Sequence, residues 1–298
     1  FGVAFSVTTG GSPSALALSR ALPIWAMFAR ASRFSQPLAF DTSSVTNMWA
    51  MFASASSFDQ PLDFDTSRAT TTGDMFLFAT SFDENLSGWD TQLVTTMGYM
   101  FDQASSFDNG GSPLVFDTSR VALMRAMFAS ASRFSQPLAF DTSSVTNMWA
   151  MFTSASSFDQ PLDFDTSRAT TTAFMFFFAT SFDQPLDFDV SSVTSMASMF
   201  DDATSLSDCN KRAIHDSLSA STAWAAAGYD SWATLSTTCA PSASPSASPT
   251  VCSFTPADKA ELKAALTVWN ADATSAASAY CAVGTWDVRS EERTSELQ

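Results

Sequence analysis

The sequence predicts an α/β repeat solenoid, with one short parallel strand and one short helical segment in each coil of about 24 residues. Three observations predict it. The dipeptide Met-Phe recurs at 27–28, 51–52, 75–76, 100–101, 127–128, 151–152, 175–176 and 199–200, so the period is 24 to 27 residues. Val45, Met48, Met51, Phe52, Ala55 and Phe58 fall on one face of a helix of about three turns. Leu62 and Phe64 then alternate with Asp63 and Asp65, the two-residue period of a strand.

Each element has a local cause. Pro61 ends the helical stretch because it lacks an amide donor. Asp65-Thr66-Ser67 reads as a turn whose side chains also cap the next helix. One unit cannot bury its own apolar face, but stacked units can. Equivalent residues then form ladders: Phe40, Phe64, Trp89, Phe116, Phe140, Phe164 and Phe188 in one, Phe58, Phe82, Phe107, Phe134, Phe158 and Phe182 in another. The thirteen residues FDTSSVTNMWAMF at 40–52 return unchanged at 140–152, and 26–72 match 126–172 at 45 of 47 positions. The same slot in each coil selects the same side chains.

The consensus F-D-x-P-L-x-F-D-T-S-x-V-T-x-M-x-x-M-F resembles the repeat of BspA-like leucine-rich-repeat surface proteins. It is most similar to the variant in mycoplasma surface lipoproteins, and Ser87-Gly88-Trp89-Asp90-Thr91 is the copy nearest that form. The resemblance covers about residues 1–200. It implies a surface or secreted protein built as a leucine-rich-repeat-like solenoid, with no enzymatic activity and no particular ligand. This chain departs from the pattern by preferring Phe to Trp and Pro to Asp.

The array is expected to fill 1–200. Residues 201–240 read as a C-terminal cap, a helix followed by a loop carrying Trp224 and Trp232. Residues 241–251 are a Ser/Pro linker, extended by composition. Residues 252–288 read as the N-terminal cap of a truncated second array, with Thr255-Pro256 starting a helix. The tail RSEERTSELQ at 289–298 resembles the translation of a common sequencing-library adapter, and 14–25 carries a similar patch in Arg20-Ala21-Leu22-Pro23-Ile24. Both are set aside as non-native. The chain opens on Phe, which reads as the remnant of an earlier coil within a longer protein.

The chain carries 14 basic and 30 acidic residues, a formal net charge of −16, which argues against nucleic acid and anionic membrane partners. No apolar run is long enough to insert in a membrane. The 28 Phe against 3 Tyr read as core filler. No G-x-S-x-G, G-x-x-x-x-G-K or H-E-x-x-H motif is present, so no enzyme, cofactor or catalytic residue is expected. His215, alone in the chain, reads as structural.

The sharpest polar pattern is an acid ladder of Asp41, Asp65, Asp90, Asp117, Asp141, Asp165 and Asp189. Carboxylates stacked roughly 5 Å apart repel. Turn N–H groups relieve this in one reading, bridging cations such as calcium in the lesser one. A second set, Asp59, Asp83, Asp108, Asp159 and Asp183, reads as a solvated edge. Cys209, Cys239, Cys252 and Cys281 have no metal-type spacing, and pairs Cys209–Cys239 and Cys252–Cys281 would suit an oxidising compartment. The expectation is therefore a non-enzymatic extracellular or cell-surface protein for adhesion or for recognition of a protein or glycan. The alternative is a structural spacer or wall component.

Overall fold

The computed structural model describes residues 24–39 and 41–235. The chain divides into Phe1–Thr237 and Thr238–Gln298, and every described residue lies in the first unit. Phe40, the patch at 14–23, Cys239, Cys252, Cys281, the linker, the second cap and the tail lie outside the described residues.

The expected α/β solenoid is overturned. Among the described residues there is no strand, and the α-helices are two short ones, α1 (Asp208–Leu218) and α2 (Thr222–Ala227), both after the repeats. The Met-Phe segment is a run of tight turns. Residues one before the Met and two after the Phe are left-handed in every coil, as in Ala50 (φ 53°), Ser54 (φ 60°), Ala150 (φ 55°) and Ser154 (φ 55°). Two left-handed residues four apart cannot lie within an α-helix.

The hydrogen bonds explain why this arrangement wins. Within the coil, Met51, Ala53 and Ala55 N–H groups close three-residue turns on Met48, Ala50 and Phe52 at 3.3, 3.0 and 2.9 Å. The alternate N–H groups leave the coil: Ala50, Phe52 and Ser54 donate to Gly73, Met75 and Leu77 of the next one at 2.9, 2.9 and 2.6 Å. A helix would keep all of them for itself. Each left-handed residue costs about 1–2 kcal/mol, offset by cross-coil bonding and by burial of the Met and Phe between them.

The expected strand at Leu62–Phe64 forms no bridge. At the slot equivalent to it one single bridge does form, Leu114 with Leu138, and the other parallel contacts are single bridges joining Asn47, Thr71, Thr96, Leu123, Asn147, Thr171 and Ser195 in sequence. Just before them, Thr70 N–H reaches back to the Thr46 carbonyl at 2.8 Å, and Thr194 to Thr170 at 2.9 Å. Every coil is thus bonded to both neighbours.

The core is a double stack of phenylalanines. Phe52, Phe76, Phe101, Phe128, Phe152 and Phe176 follow one another at 5.6 Å between ring centroids with rings nearly parallel. The ladder from Phe58 to Phe182 runs alongside at 5.8 to 6.3 Å. The two meet within each coil, as Phe101 and Phe107 do at 3.8 Å. Offset stacking of this kind adds to roughly 2–3 kcal/mol of burial per ring.

One coil carries an insertion. There Asn109–Gly111 forms a single 3-10 turn, and Asn109 is fully buried. Its Oδ1 accepts from Leu86 N–H at 2.8 Å, and its Nδ2 donates to the Ser112 and Pro113 carbonyls at 2.9 and 3.1 Å. One amide side chain therefore replaces the backbone contacts that the longer loop gives up.

The last coil is covered by α1, α2 and a 3-10 turn at Asp230–Thr234, where the sequence suggested one helix and a loop. Ser207 caps α1 by accepting from Asn210 N–H, and Gly228 ends α2 at φ 85°. Phe200, the final ring of its column, is met by Trp224, Tyr229 and Trp232 at 6.3, 5.8 and 5.5 Å. Tyr229 Oη accepts from Phe200 N–H and donates to Asp201, and burial holds its phenol well above the usual range. His215 Nδ1 accepts from Trp224 Nε1 at 3.2 Å, a structural contact.

Candidate functional site

The acid ladder is tied up in its own turns. Asp65, Asp117 and Asp141 each accept from the N–H and hydroxyl of the serine two residues on, with the hydroxyl bonds at 2.6 Å. Asp41, Asp165 and Asp189 take the corresponding N–H bond at 2.9 Å, and Asp90 takes that of Gln92 at 3.1 Å. Serine hydrogen bonds hold Asp41, Asp65, Asp117, Asp165 and Asp189 below the ordinary carboxyl value. Among the described residues no three His, Cys, Asp or Glu side chains converge where a metal could be held.

The second acid set is exposed or half-exposed, and it also bonds from coil to coil. Asp59 accepts from Asp83 N–H, Asp83 from Asp108 N–H, Asp108 from Ser135 N–H and Asp159 from Asp183 N–H, at 2.7 to 3.1 Å. Asp183 passes the contact into the cap through Ser207 and Asn210. These carboxylates stitch coil to coil.

The surface feature with no structural duty is an aromatic band. It is made by the residues flanking Met-Phe on the outside of the turns. Trp25, Trp49, Phe78, Trp149 and Phe178 are 38 to 48% exposed, and the one other exposed large apolar side chain among the described residues is Val115, which does not flank a Met-Phe pair. Contacts run along the band from coil to coil. Trp25 lies 6.1 Å from Trp49. Trp49 lies over Gly73, where an added Cβ would come within 3.3 Å of the indole. Arg125 lies over Gly98 in the same way, at 3.2 Å, and its guanidinium sits 5.0 Å from the Tyr99 ring centroid. Ala126, Ala129 and Ala150 form a separate small buried cluster beneath Tyr99 and Phe174. Trp149 meets Phe174 edge-on at 6.2 Å, and Phe177 and Phe178 extend the patch.

Two acids sit in this band. Desolvation pushes the Asp74 carboxyl up, against the pull of Arg125 and of a hydrogen bond from the Trp49 side chain. Desolvation, with the Asp74 charge second, pushes Asp102 up to about 6. Asp102 is joined to its neighbour only through backbone: Phe78 N–H donates to its carbonyl at 2.8 Å. Its carboxylate receives no hydrogen bond or ion pair from the described residues.

The sequence reading assigned the aromatics to the core and missed this band. A signal was present. The position two before the Met reads Trp, Trp, Gly, Gly, Arg, Trp, Ala, Ala along the coils, while the Met and Phe never change. Positions that vary within an otherwise fixed repeat are those the stack does not use.

No helix among the described residues is long and apolar enough to cross a membrane.

Stacked coils, a constant core and a variable outer band define a tandem-repeat protein. Residues 17–113 and 114–212 each match the family described as Mycoplasma protein of unknown function, DUF285, and the chain belongs to that family. No curated protein and no solved structure matches it.

Proposed function

We propose that the chain is a non-enzymatic protein of the cell surface or extracellular space that recognises a partner, protein or glycan, through the aromatic band. The observation that carries the reading is the exposure of Trp25, Trp49, Phe78, Trp149 and Phe178 along contacting coils. Exposed aromatic residues in a contiguous patch are the usual anchors of an interface. The resemblance to BspA-like surface proteins, the even number of cysteines and the Ser/Pro linker support an oxidising location. Cys239 is the proposed partner of Cys209. Nothing in the band is arranged as a nucleophile with its base.

The test is retention of the protein on immobilised matrix proteins and surface polysaccharides, wild type against the triple variant Trp25→Ala, Trp49→Ala, Trp149→Ala. Loss of a bound partner in the folded variant is expected. A variant that binds every partner as the wild type does overturns the reading. A wild type retained by nothing favours the spacer reading, to which the unbroken cross-coil bonding lends itself.

A further inference from the structure

We propose that Asn85 is the attachment site of an N-linked glycan, taken from a lipid-pyrophosphate oligosaccharide donor while the chain is being exported. The proposal rests on the extracellular half of the reading above. It does not rest on the band, of which Asn85 is no part.

The sequence supplies the acceptor. Asn85-Leu86-Ser87 is the one Asn-x-Ser/Thr triplet in the chain, and its middle residue is not proline. Asn47, Asn109, Asn147, Asn210 and Asn270 have Trp, Gly, Trp, Arg and Asp two residues on. The other coils put proline at the slot of Asn85, as Pro37, Pro61, Pro113, Pro137, Pro161 and Pro185, and none has a hydroxyl where Ser87 stands.

The fold leaves the side chain available. Asn85 is exposed, as the proline is in each of those coils. Its Oδ1 accepts from Ser87 N–H at 2.8 Å. The turn needs no more than that, since Asp117 and Asp141 close the same bond with a carboxylate. The amide nitrogen, which an aspartate would lack, donates to nothing among the described residues. Asn109 is the contrast: it is buried, and its Nδ2 donates to Ser87 and to the Ser112 and Pro113 carbonyls. There is also room around Asn85. A Cβ added to Gly88 or Gly111 would meet nothing within 4 Å, and one added to Gly110 would come no nearer to Asn85 than 3.6 Å.

The order of events follows from Ser87. A transferase that reads the triplet needs its hydroxyl. In the folded chain Ser87 Oγ donates to the Pro113 carbonyl, in the next coil, at 2.8 Å. Transfer therefore precedes closure of that coil. The bond from Asn85 Nδ2 to the sugar C1 forms, the C1–oxygen bond of the donor breaks, the lipid pyrophosphate leaves and the amide gives one proton to the transferase. The glycan then adds a bulky hydrophilic chain at an exposed slot. No bond of the fold is lost, because Oδ1 keeps Ser87 N–H.

The experiment is peptide mapping by mass spectrometry of the full chain from its own source, before and after peptide-N-glycosidase, which turns a glycosylated asparagine into aspartate. A loss of mass with aspartate at position 85 is expected. Variants are compared as chains secreted from mammalian cells behind a cleavable leader. Asn85→Asp keeps the Ser87 bond and should lose the glycan completely, while Ser87→Thr keeps the hydroxyl and should keep the glycan. An exported chain with Asn85 unmodified, or a glycan that survives Asn85→Asp, overturns the proposal and leaves the surface reading standing. A chain found only inside the cell and unmodified overturns both. A glycan at Asn85 on a protein whose triple tryptophan variant keeps every partner upholds the site and removes the band.

Discussion

The blocks 26–72 and 126–172 are almost the same sequence, yet they face different neighbours. Trp49 reaches a coil reading Gly73-Asp74-Met75-Phe76-Leu77-Phe78. Trp149 reaches one reading Ala173-Phe174-Met175-Phe176-Phe177-Phe178. One tryptophan therefore joins a carboxylate and the other packs edge-on against a ring. Beneath both, Phe52–Phe76 and Phe152–Phe176 stack at the same 5.6 Å. The core is written once and reused, whereas the surface is written by whichever coil comes next.

The largest test of that comparison lies in the core. Phe76→Ala and Phe176→Ala each remove a fully buried ring and should cost about 3–5 kcal/mol in denaturant unfolding. Similar losses are expected because both rings stack on both sides at 5.6 Å. A difference above about 2 kcal/mol would mean the halves are not equivalent inside.

The acidic half should then respond to pH where the apolar half does not. A carboxyl raised to about 6 in the folded chain, against 3.8 unfolded, binds its proton more tightly when folded. Stability rises as pH falls from about 6 toward 3.8 and is lowest above 6. Below that window the turn acids, held low by their serines, lose their contribution as they protonate. Asp102→Asn should stabilise the protein at pH 7 by about 1 kcal/mol, after allowance for solvent screening, and flatten the profile between pH 4 and 7. A profile unchanged by the substitution would remove Asp102 as its source.

The smallest effect has opposite signs in the two blocks. Thr166 Oγ1 donates to the Asp189 carbonyl at 2.9 Å, but the buried Thr66 Oγ1 has no partner. Thr166→Val should cost about 1 kcal/mol, and Thr66→Val should be neutral or stabilising. Unfolding curves that shift alike for both would show that hydrogen bonding, too, is owned by the coil itself.

The period and the Phe58 to Phe182 column were legible in the sequence, because burial fixes residue type at each slot, while the Phe52 to Phe176 column reads there as one face of a helix. Secondary structure was not legible. Spacings of 3, 3, 1, 3 and 3 from Val45 to Phe58 fit one helical face and fit consecutive three-residue turns equally well. The discriminating clue was at the left-handed positions, Ala, Asp, Tyr, Phe or Ser in one and Arg, Ser, Phe, Gln or Asp in the other. No β-branched residue stands there, as left-handed backbone disfavours them. Likewise Asp41 to Asp189 could be listed from sequence, but their serine partners and the stitching role of Asp59 to Asp183 depend on how adjacent coils are placed. Trp49 and Trp149 were hidden for a different reason: composition makes an aromatic look like core wherever it falls.

Bonding to both neighbours in every coil has a consequence for inheritance. A whole number of coils can be copied within the gene and the new joint will present the same carbonyls, amide groups and rings as the old. The equivalent blocks begin at 26 and 126, four coils apart. Unequal exchange at such a joint leaves folding intact and sets an old tryptophan against a new neighbour, so a lineage can draw a fresh binding surface without solving the interior again.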